Sequence, residues 1–241
     1  VNKGQLEQYK KILPDGKNLG IKISYLEQNE PRGLPDAFVI GEKFIGKENV
    51  AMILGDNFFY GQSLSKLLLA NTKLNKGARV ILHKVLKPEL FGVAKTSKSG
   101  KITTIKEKPK KFFSDLAITG LYFFDNKVIN YSKKLKPSKR GELEITSLNN
   151  LYLKENNLFV EIMGRGMAWL DTGTFDSLQQ AGSYIRLLER RQGLKVGCPE
   201  EVAWRNKWIN NKDLIKLAEN MIKSGYGKYL LDIQKDPLYK I

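Results

Sequence analysis

The strongest constraint on the fold is the alternation of short β-rich runs with amphipathic stretches along most of the 241 residues. The candidate strands cover Ile21 to Glu27, Val50 to Leu54, Arg79 to Val85, Ile102 to Glu107, Ile118 to Phe124 and Leu158 to Met163. The candidate helices, in which apolar residues recur three or four positions apart, cover Leu6 to Leu13, Asp36 to Phe44, Leu64 to Leu74, Asn126 to Leu135 and Ser147 to Glu155. This alternation is typical of βα units, so we predict an α/β fold with a mainly parallel, mixed sheet and helices on both faces.

Two departures from the alternation complete the prediction. Ser97 to Gly100 is a turn sequence between two short apolar runs, which favours an antiparallel hairpin beside the parallel strands. From Thr174 onward the pattern becomes almost wholly helical. We therefore predict a main domain over residues 1–198 and a helical C-terminal extension, residues 199–241, packed on the same domain.

Charge and composition exclude several functional classes. The formal net charge of +16 is spread along the chain as lysines, arginine is scarce, and no zinc-finger, basic-zipper or RNP motif is present. This pattern favours a solvated basic surface that attracts small anions, and we predict no nucleic-acid partner. The single cysteine, Cys198, rules out an internal disulfide and a Cys-based zinc site. Because no apolar run approaches the roughly 20 residues that span a bilayer, we predict a soluble cytoplasmic protein without membrane association.

Two aspartates follow apolar runs in positions that suit a cation site. Asp56 follows the run Val50 to Leu54, and Asp171 follows a second apolar stretch just before a long helix. Carboxylates at separate strand ends can share a Mg²⁺ ion that bridges substrate phosphates, so we pair Asp56 with Asp171. The alternative for Asp56 is a turn or helix cap. For Asp171, a helix cap by Asp171 or by Thr174 is equally consistent with the sequence.

Three further segments offer candidate binding residues. Glu107 and Lys108 end a strand, where the carboxylate can accept hydrogen bonds from sugar hydroxyls and the ammonium can neutralise a phosphate. Gln28 can read a pyrimidine edge, and Gly33 would let backbone approach the base. The acidic residues of Arg140 to Thr146 suit the start of a helix. Surface charge and ordinary turn structure are the alternatives for these segments.

The identities and order of these motifs together resemble the glucose-1-phosphate thymidylyltransferase family. The matching segments are Leu54 to Asn57, Phe91 to Val93, Glu107 to Pro109, Thr119 to Tyr122, Arg140 to Thr146, Trp169 to Gly173, Arg191 to Gly193, Cys198 to Glu201 and Tyr226 to Leu231. The resemblance covers essentially the whole chain. It implies a Rossmann-like nucleotidyltransferase domain that joins dTTP to α-D-glucose 1-phosphate, giving dTDP-glucose and pyrophosphate.

The resemblance also implies roles for individual residues. Asp56 and Asp171 would hold Mg²⁺, and both would act with Lys108 in catalysis. The nucleotide would be bound by Gln28, Gly33 and Asp56. The sugar phosphate would be bound by Gly92, Glu107, Lys108 and Ile118. A homotetramer and a place in dTDP-rhamnose and cell-surface polysaccharide synthesis are further implications.

One departure from the family pattern limits the expected activity. The 241 residues do not include the first βα unit and its G-G-x-G-T-R-L loop, which in this family grips the triphosphate. Loss of one such contact typically costs about 2.7–4 kcal/mol in the transition state, so we expect little or no turnover from this chain alone. Two alternatives stay open: a relative that uses another nucleotide or sugar phosphate, and a non-catalytic fragment that binds nucleotide sugars.

Overall fold

A nine-residue strand, β6 (Leu116–Phe124), lies at the centre of the main sheet in the computed structural model, which describes residues 1–236. The other strands are β1 (Val50–Ile53), β2 (Asn57–Tyr60), β3 (Ala78–Lys84), β4 (Gly92–Thr96), β5 (Ile102–Glu107), β7 (Leu158–Ile162) and β8 (Ala168–Asp171). The helices are α1 (Leu6–Ile12), α2 (Asp36–Ile40), α3 (Glu42–Ile45), α4 (Leu64–Thr72), α5 (Lys127–Lys134), α6 (Ile145–Lys154), α7 (Phe175–Gln192), α8 (Pro199–Arg205), α9 (Asn211–Asn220) and α10 (Gly225–Lys235). Within residues 1–236, no helix has the length and apolar character needed to cross a membrane.

The chain divides into two compact units. One unit runs from Glu30 to Ala181 and contains all eight of these strands. The other combines residues Val1–Asn29 with the chain from Gly182 onward. The domain division predicted at residue 198 stays a prediction, and its last residues, 237–241, lie outside the described part of the chain.

Pairing in the main sheet is mixed. The strand order is β5-β4-β6-β3-β7, and β1 also pairs with β6. Strand β6 runs antiparallel to β1, β3 and β4, while β3 and β7 are parallel. The α/β class and the mixed sheet are confirmed, but the described ladders contain less parallel pairing than expected. Short connections such as the hairpin between β4 and β5 allow only antiparallel neighbours, because a parallel pair needs a long crossover.

Both faces of the sheet are covered, as predicted. On one face, Ile118, Tyr122 and Phe124 of β6 pack in a core cluster with residues of α2, α3, α5 and α6. On the other face, Ala117 and Leu121 pack with residues of α4 and with the short strands β2 and β8. The period of two along β6 therefore divides its side chains between two hydrophobic layers.

Two predicted elements differ in the structure. The run from Ile21 to Glu27 was wrongly predicted as a strand, since the only pairing there is an isolated bridge between Asn2 and Gln28. The backbone of this run instead bonds to the preceding turn, where the Ile23 N–H donates to the Asp15 carbonyl oxygen at 2.9 Å. Alternating apolar residues without a neighbouring strand to pair with did not form a strand. The helix predicted from Asp36 is divided at Gly41 into α2 and α3.

The helical character predicted for the C-terminal part is confirmed. Helices α8 to α10 surround a separate core in which Leu214 and Leu230 are fully buried. Cys198 is 3% exposed and packs in this core. Burial raises the pKa of its thiol above the usual value.

Candidate functional site

The ladder between β2 and β8 brings Asp56 and Asp171 together. These strands form a two-stranded antiparallel sheet in which Asn57 lies directly opposite Asp171. The backbone N–H and the side-chain hydroxyl of Thr172 both donate to the carbonyl of Asp56 at 2.8 Å. Asp56 in the turn before β2 is therefore held beside the end of β8, where Asp171 stands.

The two carboxylates flank one point in space. A methyl group added to Gly173 would lie 2.9 Å from Oδ1 of Asp171 and 3.6 Å from Oδ2 of Asp56. Protein donors hold one oxygen of each carboxylate. Asn57 Nδ2 donates to Asp56 Oδ1, and the Gly173 N–H donates to Asp171 Oδ1, both at 2.8 Å. Glycine at position 173 leaves open the space that both carboxylates border.

This donor set fits a hard divalent cation. Asp56 is exposed and Asp171 half-buried, so both can be reached from solvent. Within residues 1–236, no group of three or more His, Cys, Asp or Glu side chains is arranged to hold a metal ion. Mg²⁺ does not need such a cage, because it is usually bound by one or two carboxylates, several waters and substrate phosphates. The pair therefore fits Mg²⁺.

The cap of helix α7 is formed by a different residue. Ser177 N–H donates to Thr174 Oγ1 at 3.1 Å, so Thr174 caps the first turn of the helix. The Asp171 carboxylate bonds back to Gly173, outside the helix. Of the two capping alternatives, the structure supports Thr174 and leaves the Asp171 carboxylate at the pair.

A second cluster lies where β4 and β5 pair. Gly92 is directly opposite Glu107 in this ladder. The Thr146 hydroxyl donates to Glu107 Oε2 at 2.5 Å. A methyl group at Gly92 would lie 3.0 Å from that carboxylate oxygen and 3.1 Å from Thr146 Oγ1. Glycine at position 92 thus leaves room for the carboxylate and hydroxyl of the cluster.

Lys108 and Ile118 occupy different environments. Lys108 is exposed, has a positive φ of 38°, and donates its backbone N–H to the Phe91 carbonyl at 3.0 Å. Ile118 is 7% exposed and its side chain packs in the core, although the preceding residue, Ala117, pairs with Val93 of β4. The structure brings Gly92, Glu107 and Lys108 together, while the side chain of Ile118 points into the hydrophobic layer.

The segment predicted as a helix start contains an ion pair that sequence reasoning missed. Arg140 donates to both carboxylate oxygens of Glu144, at 3.1 Å from Nε and 2.7 Å from Nη2, and Ser138 Oγ donates at 2.7 Å. Burial tends to raise the pKa of Glu144, but these bonds and the nearby charge of Lys108 outweigh it, so its pKa lies below the ordinary value. The four-residue spacing of opposite charges was the available signal.

Aromatic contacts connect the two clusters. The Phe91 ring, next to Gly92, lies 5.0 Å from the ring of Trp169, which belongs to β8. Trp169 Nε1 donates to Asn57 Oδ1 at 2.6 Å, and the Gly120 N–H donates to the same oxygen at 2.9 Å. Asn57 was part of a recognised motif, but sequence reasoning gave it no role. Its bonding depends on residues far away in the chain.

The predicted base-binding residues are not tested by this geometry. Gly33 has a φ of 100°, and a methyl group there would lie 2.2 Å from the Leu143 carbonyl oxygen, so close backbone packing accounts for the glycine. Gln28 belongs to the other compact unit, where its N–H donates to the Val1 carbonyl at 2.9 Å. Their contacts with a nucleotide stay predictions.

Comparison with known proteins gives consistent matches. A profile of the nucleotidyl transferase family matches residues 1–186. The glucose-1-phosphate thymidylyltransferase of Neisseria meningitidis is 48% identical over 227 residues, which cover 94% of this chain and 79% of the relative. The enzyme of the same name from Mycobacterium tuberculosis is 48% identical over 225 residues, covering 93% of this chain and 78% of the relative.

Solved structures agree with the sequence matches. A Bacillus anthracis protein, described as a candidate glucose-1-phosphate thymidylyltransferase and crystallised with a sucrose, has a TM-score of 0.69 at 39% identity, covering 77% of this chain and 74% of that one. A UDP-glucose pyrophosphorylase complexed with UDP-glucose has a TM-score of 0.59 at 24% identity over 68% of this chain and 66% of that one, which shows the fold alone. The chain therefore belongs to the nucleotidyl transferase family and, within it, to the group of glucose-1-phosphate thymidylyltransferases.

Proposed function

We propose that this chain carries the binding machinery for joining dTTP to α-D-glucose 1-phosphate, with Mg²⁺ as cofactor and dTDP-glucose and pyrophosphate as products. The observation that carries the proposal is the pair of carboxylates, Asp56 and Asp171, which border the same point beside Gly173. The names of the relatives support the choice of substrates.

In the proposed reaction, a phosphate oxygen of the sugar phosphate attacks the α-phosphorus of the nucleotide, and the bond to the β-phosphate breaks as pyrophosphate leaves. Bound Mg²⁺ supplies positive charge beside the nucleotide phosphates, held by Asp56 and Asp171. The catalytic contribution of the chain is then positioning and charge neutralisation, more than proton transfer.

The remaining roles follow from the second cluster and from the family resemblance. Lys108 is exposed and has no ion pair within residues 1–236, so its ammonium group is available to neutralise the sugar phosphate. Glu107, fixed by Thr146, accepts hydrogen bonds from sugar hydroxyls. Gly92 lies beside Glu107 in this site, and Ile118, whose side chain packs in the core, contributes through its backbone. Gln28 and Gly33 contact the thymine base, and Asp56 also lies beside the nucleotide.

Three further properties belong to the same proposal. The chain forms a homotetramer, acts in the cytoplasm, and serves the synthesis of dTDP-rhamnose and surface polysaccharide. Measured alone, the 241-residue chain turns over slowly or not at all, because its residues include no glycine-rich loop to hold the triphosphate and the leaving pyrophosphate.

Calorimetric titration of the 241-residue chain with dTTP and dTDP-glucose, with and without Mg²⁺, tests the proposal. The test variant is Asp56→Ala combined with Asp171→Ala, and a pyrophosphate-release assay follows turnover. A control with the same net charge combines Glu42→Ala with Glu155→Ala. These residues belong to the helical segments that cover the opposite face of the sheet.

Mg²⁺-dependent binding that the test variant loses and the control keeps is the expected result. Competition with UTP and CTP measures the nucleotide preference, and stronger binding of either would favour the related enzyme with another nucleotide. If a folded chain binds neither dTTP nor dTDP-glucose, the proposed nucleotide-sugar site is refuted.

A further inference from the structure

The side-chain amide of Asn57 is bonded on both sides. Its Oδ1 accepts from the Gly120 N–H at 2.9 Å and from Trp169 Nε1 at 2.6 Å. Its Nδ2 donates to Asp56 Oδ1 at 2.8 Å. Because the two donors require an oxygen acceptor, the amide can take only one orientation, with its NH₂ group facing Asp56.

This orientation determines which Asp56 oxygen is left for a ligand. The Asn57 donor occupies Oδ1, and Oδ2 is the atom that faces the space beside Gly173 and Asp171. A carboxylate held through one oxygen cannot rotate freely about its terminal bond. The free oxygen therefore stays directed at the point that both carboxylates border.

Gly120 fixes Asn57 in turn. A methyl group at position 120 would lie 2.4 Å from Asn57 Oδ1 and 2.5 Å from its Cγ, so the amide packs flat against the backbone of β6. Trp169, 9% exposed, bonds the same oxygen from β8. Asn57 is thus anchored to two strands that come from distant parts of the sequence.

We propose that Asn57 is the positioning residue of the cation site. Because its amide is bonded to β6 and β8, it holds the Asp56 carboxylate in one orientation. This inference rests on the proposed function, in which Asp56 and Asp171 bind Mg²⁺. Partners that orient a metal ligand through a hydrogen bond typically change metal affinity about 10- to 100-fold when removed.

The competing explanation is that Asn57 only stabilises the fold. A matched control separates the two. Thr119, the neighbour of Gly120 on β6, is fully buried and donates its hydroxyl to the Ile81 carbonyl at 3.0 Å. Thr119→Val removes one buried hydrogen bond from the same strand without touching the carboxylate pair, whereas Asn57→Ala removes the donor to Asp56.

The experiment is a titration with Mn²⁺, followed by the electron paramagnetic resonance of the free ion, on the wild-type chain, Asn57→Ala and Thr119→Val. Mn²⁺ prefers the same oxygen ligands as Mg²⁺. We expect Asn57→Ala to bind Mn²⁺ about 10- to 100-fold more weakly and Thr119→Val to stay within about two-fold of wild type. Equal affinity of wild type and Asn57→Ala overturns the inference alone. A folded wild-type chain that binds no Mn²⁺, either alone or together with dTTP, overturns the proposed cation site as well.

If Asn57→Ala does not fold, a second measurement on the wild-type chain tests whether Asn57 couples the Asp56 carboxylate to Trp169. The wild-type chain is labelled with 5-fluorotryptophan and titrated with Mg²⁺, and the Trp169 fluorine signal is assigned as the one missing in Trp169→Phe. Because Trp169 and Asp56 are bonded to the same amide, cation binding is expected to shift the Trp169 signal and leave those of Trp204 and Trp208 unchanged. Saturable Mn²⁺ binding without a shift of the Trp169 signal in the Mg²⁺ titration would overturn the inference.

Discussion

Replacing Gly120 by Ala is expected to dislodge Asn57. The new Cβ would lie 2.4 Å from Asn57 Oδ1 and 2.8 Å from its Nδ2, so the amide has to move. The Gly120 and Trp169 N–H groups then lose their acceptor. Overpacking costs about 1–3 kcal/mol, and a buried donor left unpaired costs about 1–3 kcal/mol. Overpacking together with one unpaired buried donor lowers the free energy of unfolding by about 2–6 kcal/mol.

Denaturant unfolding followed by ¹⁹F resonance measures this loss. Trp169 is the only tryptophan between residues 30 and 181, so its fluorine signal reports on that unit. The control is Gly164→Ala, where a methyl group would meet no atom within 4 Å, and a change of no more than about 0.5 kcal/mol is expected. Unfolding of both variants at the same denaturant concentration would refute the packing argument.

Three further variants test other parts of the site. Glu144→Gln should lower stability by about 1–2 kcal/mol at neutral pH, since it weakens the bonds with the half-exposed Arg140. The pKa of Glu144 is lowered in the folded chain, so the stability that this carboxylate contributes is fully present above the ordinary carboxyl pKa. It is lost as the pH falls through the lowered pKa of Glu144. The urea midpoints of wild type and variant should therefore converge in acid. Gly92→Ala places a methyl group 3.0 Å from Glu107 Oε2 and 3.1 Å from Thr146 Oγ1, which displaces the Glu107 carboxylate and should weaken binding of glucose 1-phosphate about 10-fold or more in calorimetry. Gly33→Ala, at a φ of 100° and 2.2 Å from the Leu143 carbonyl, should cost about 3 kcal/mol or more in the same unfolding assay, and a wild-type midpoint would contradict the close approach.

Elements with a strong periodic pattern were predictable from sequence. Strand β5 has the predicted bounds, and β3 and β6 differ from prediction by one or two residues. The alternation of apolar residues wrongly predicted a strand at Ile21 to Glu27, because a strand also needs a neighbouring strand to pair with and the alternation does not indicate whether one is present. Strands β2 and β8 were missed for the opposite reason. Each has four residues and, unlike the equally short β1, has a polar residue at one end that shortens the apolar run, so each is recognisable only through its pairing with the other.

The residues of the candidate site were also predictable only in part. Asp56 and Asp171 were recognisable because carboxylates after apolar runs suit a cation, and the structure brings them together. The role of Asn57 was not predictable, since its amide bonds to groups 63 and 112 residues away. The Arg140–Glu144 pair was read as part of a helix start, because sequence spacing does not say whether a carboxylate caps a helix or binds an arginine.

The ladder that holds the two carboxylates also has a kinetic consequence. A hydrogen bond between Thr172 and Asp56 stabilises this ladder, and these two residues are 116 positions apart in the sequence. Contacts between such distant residues are slow to form, because the loop entropy is lost before the contact stabilises the chain. At the usual rates of translation, on the order of ten seconds separate the synthesis of the two aspartates. Until β8 has been synthesised and has paired with β2, the chain therefore holds two separate carboxylates that border no common space.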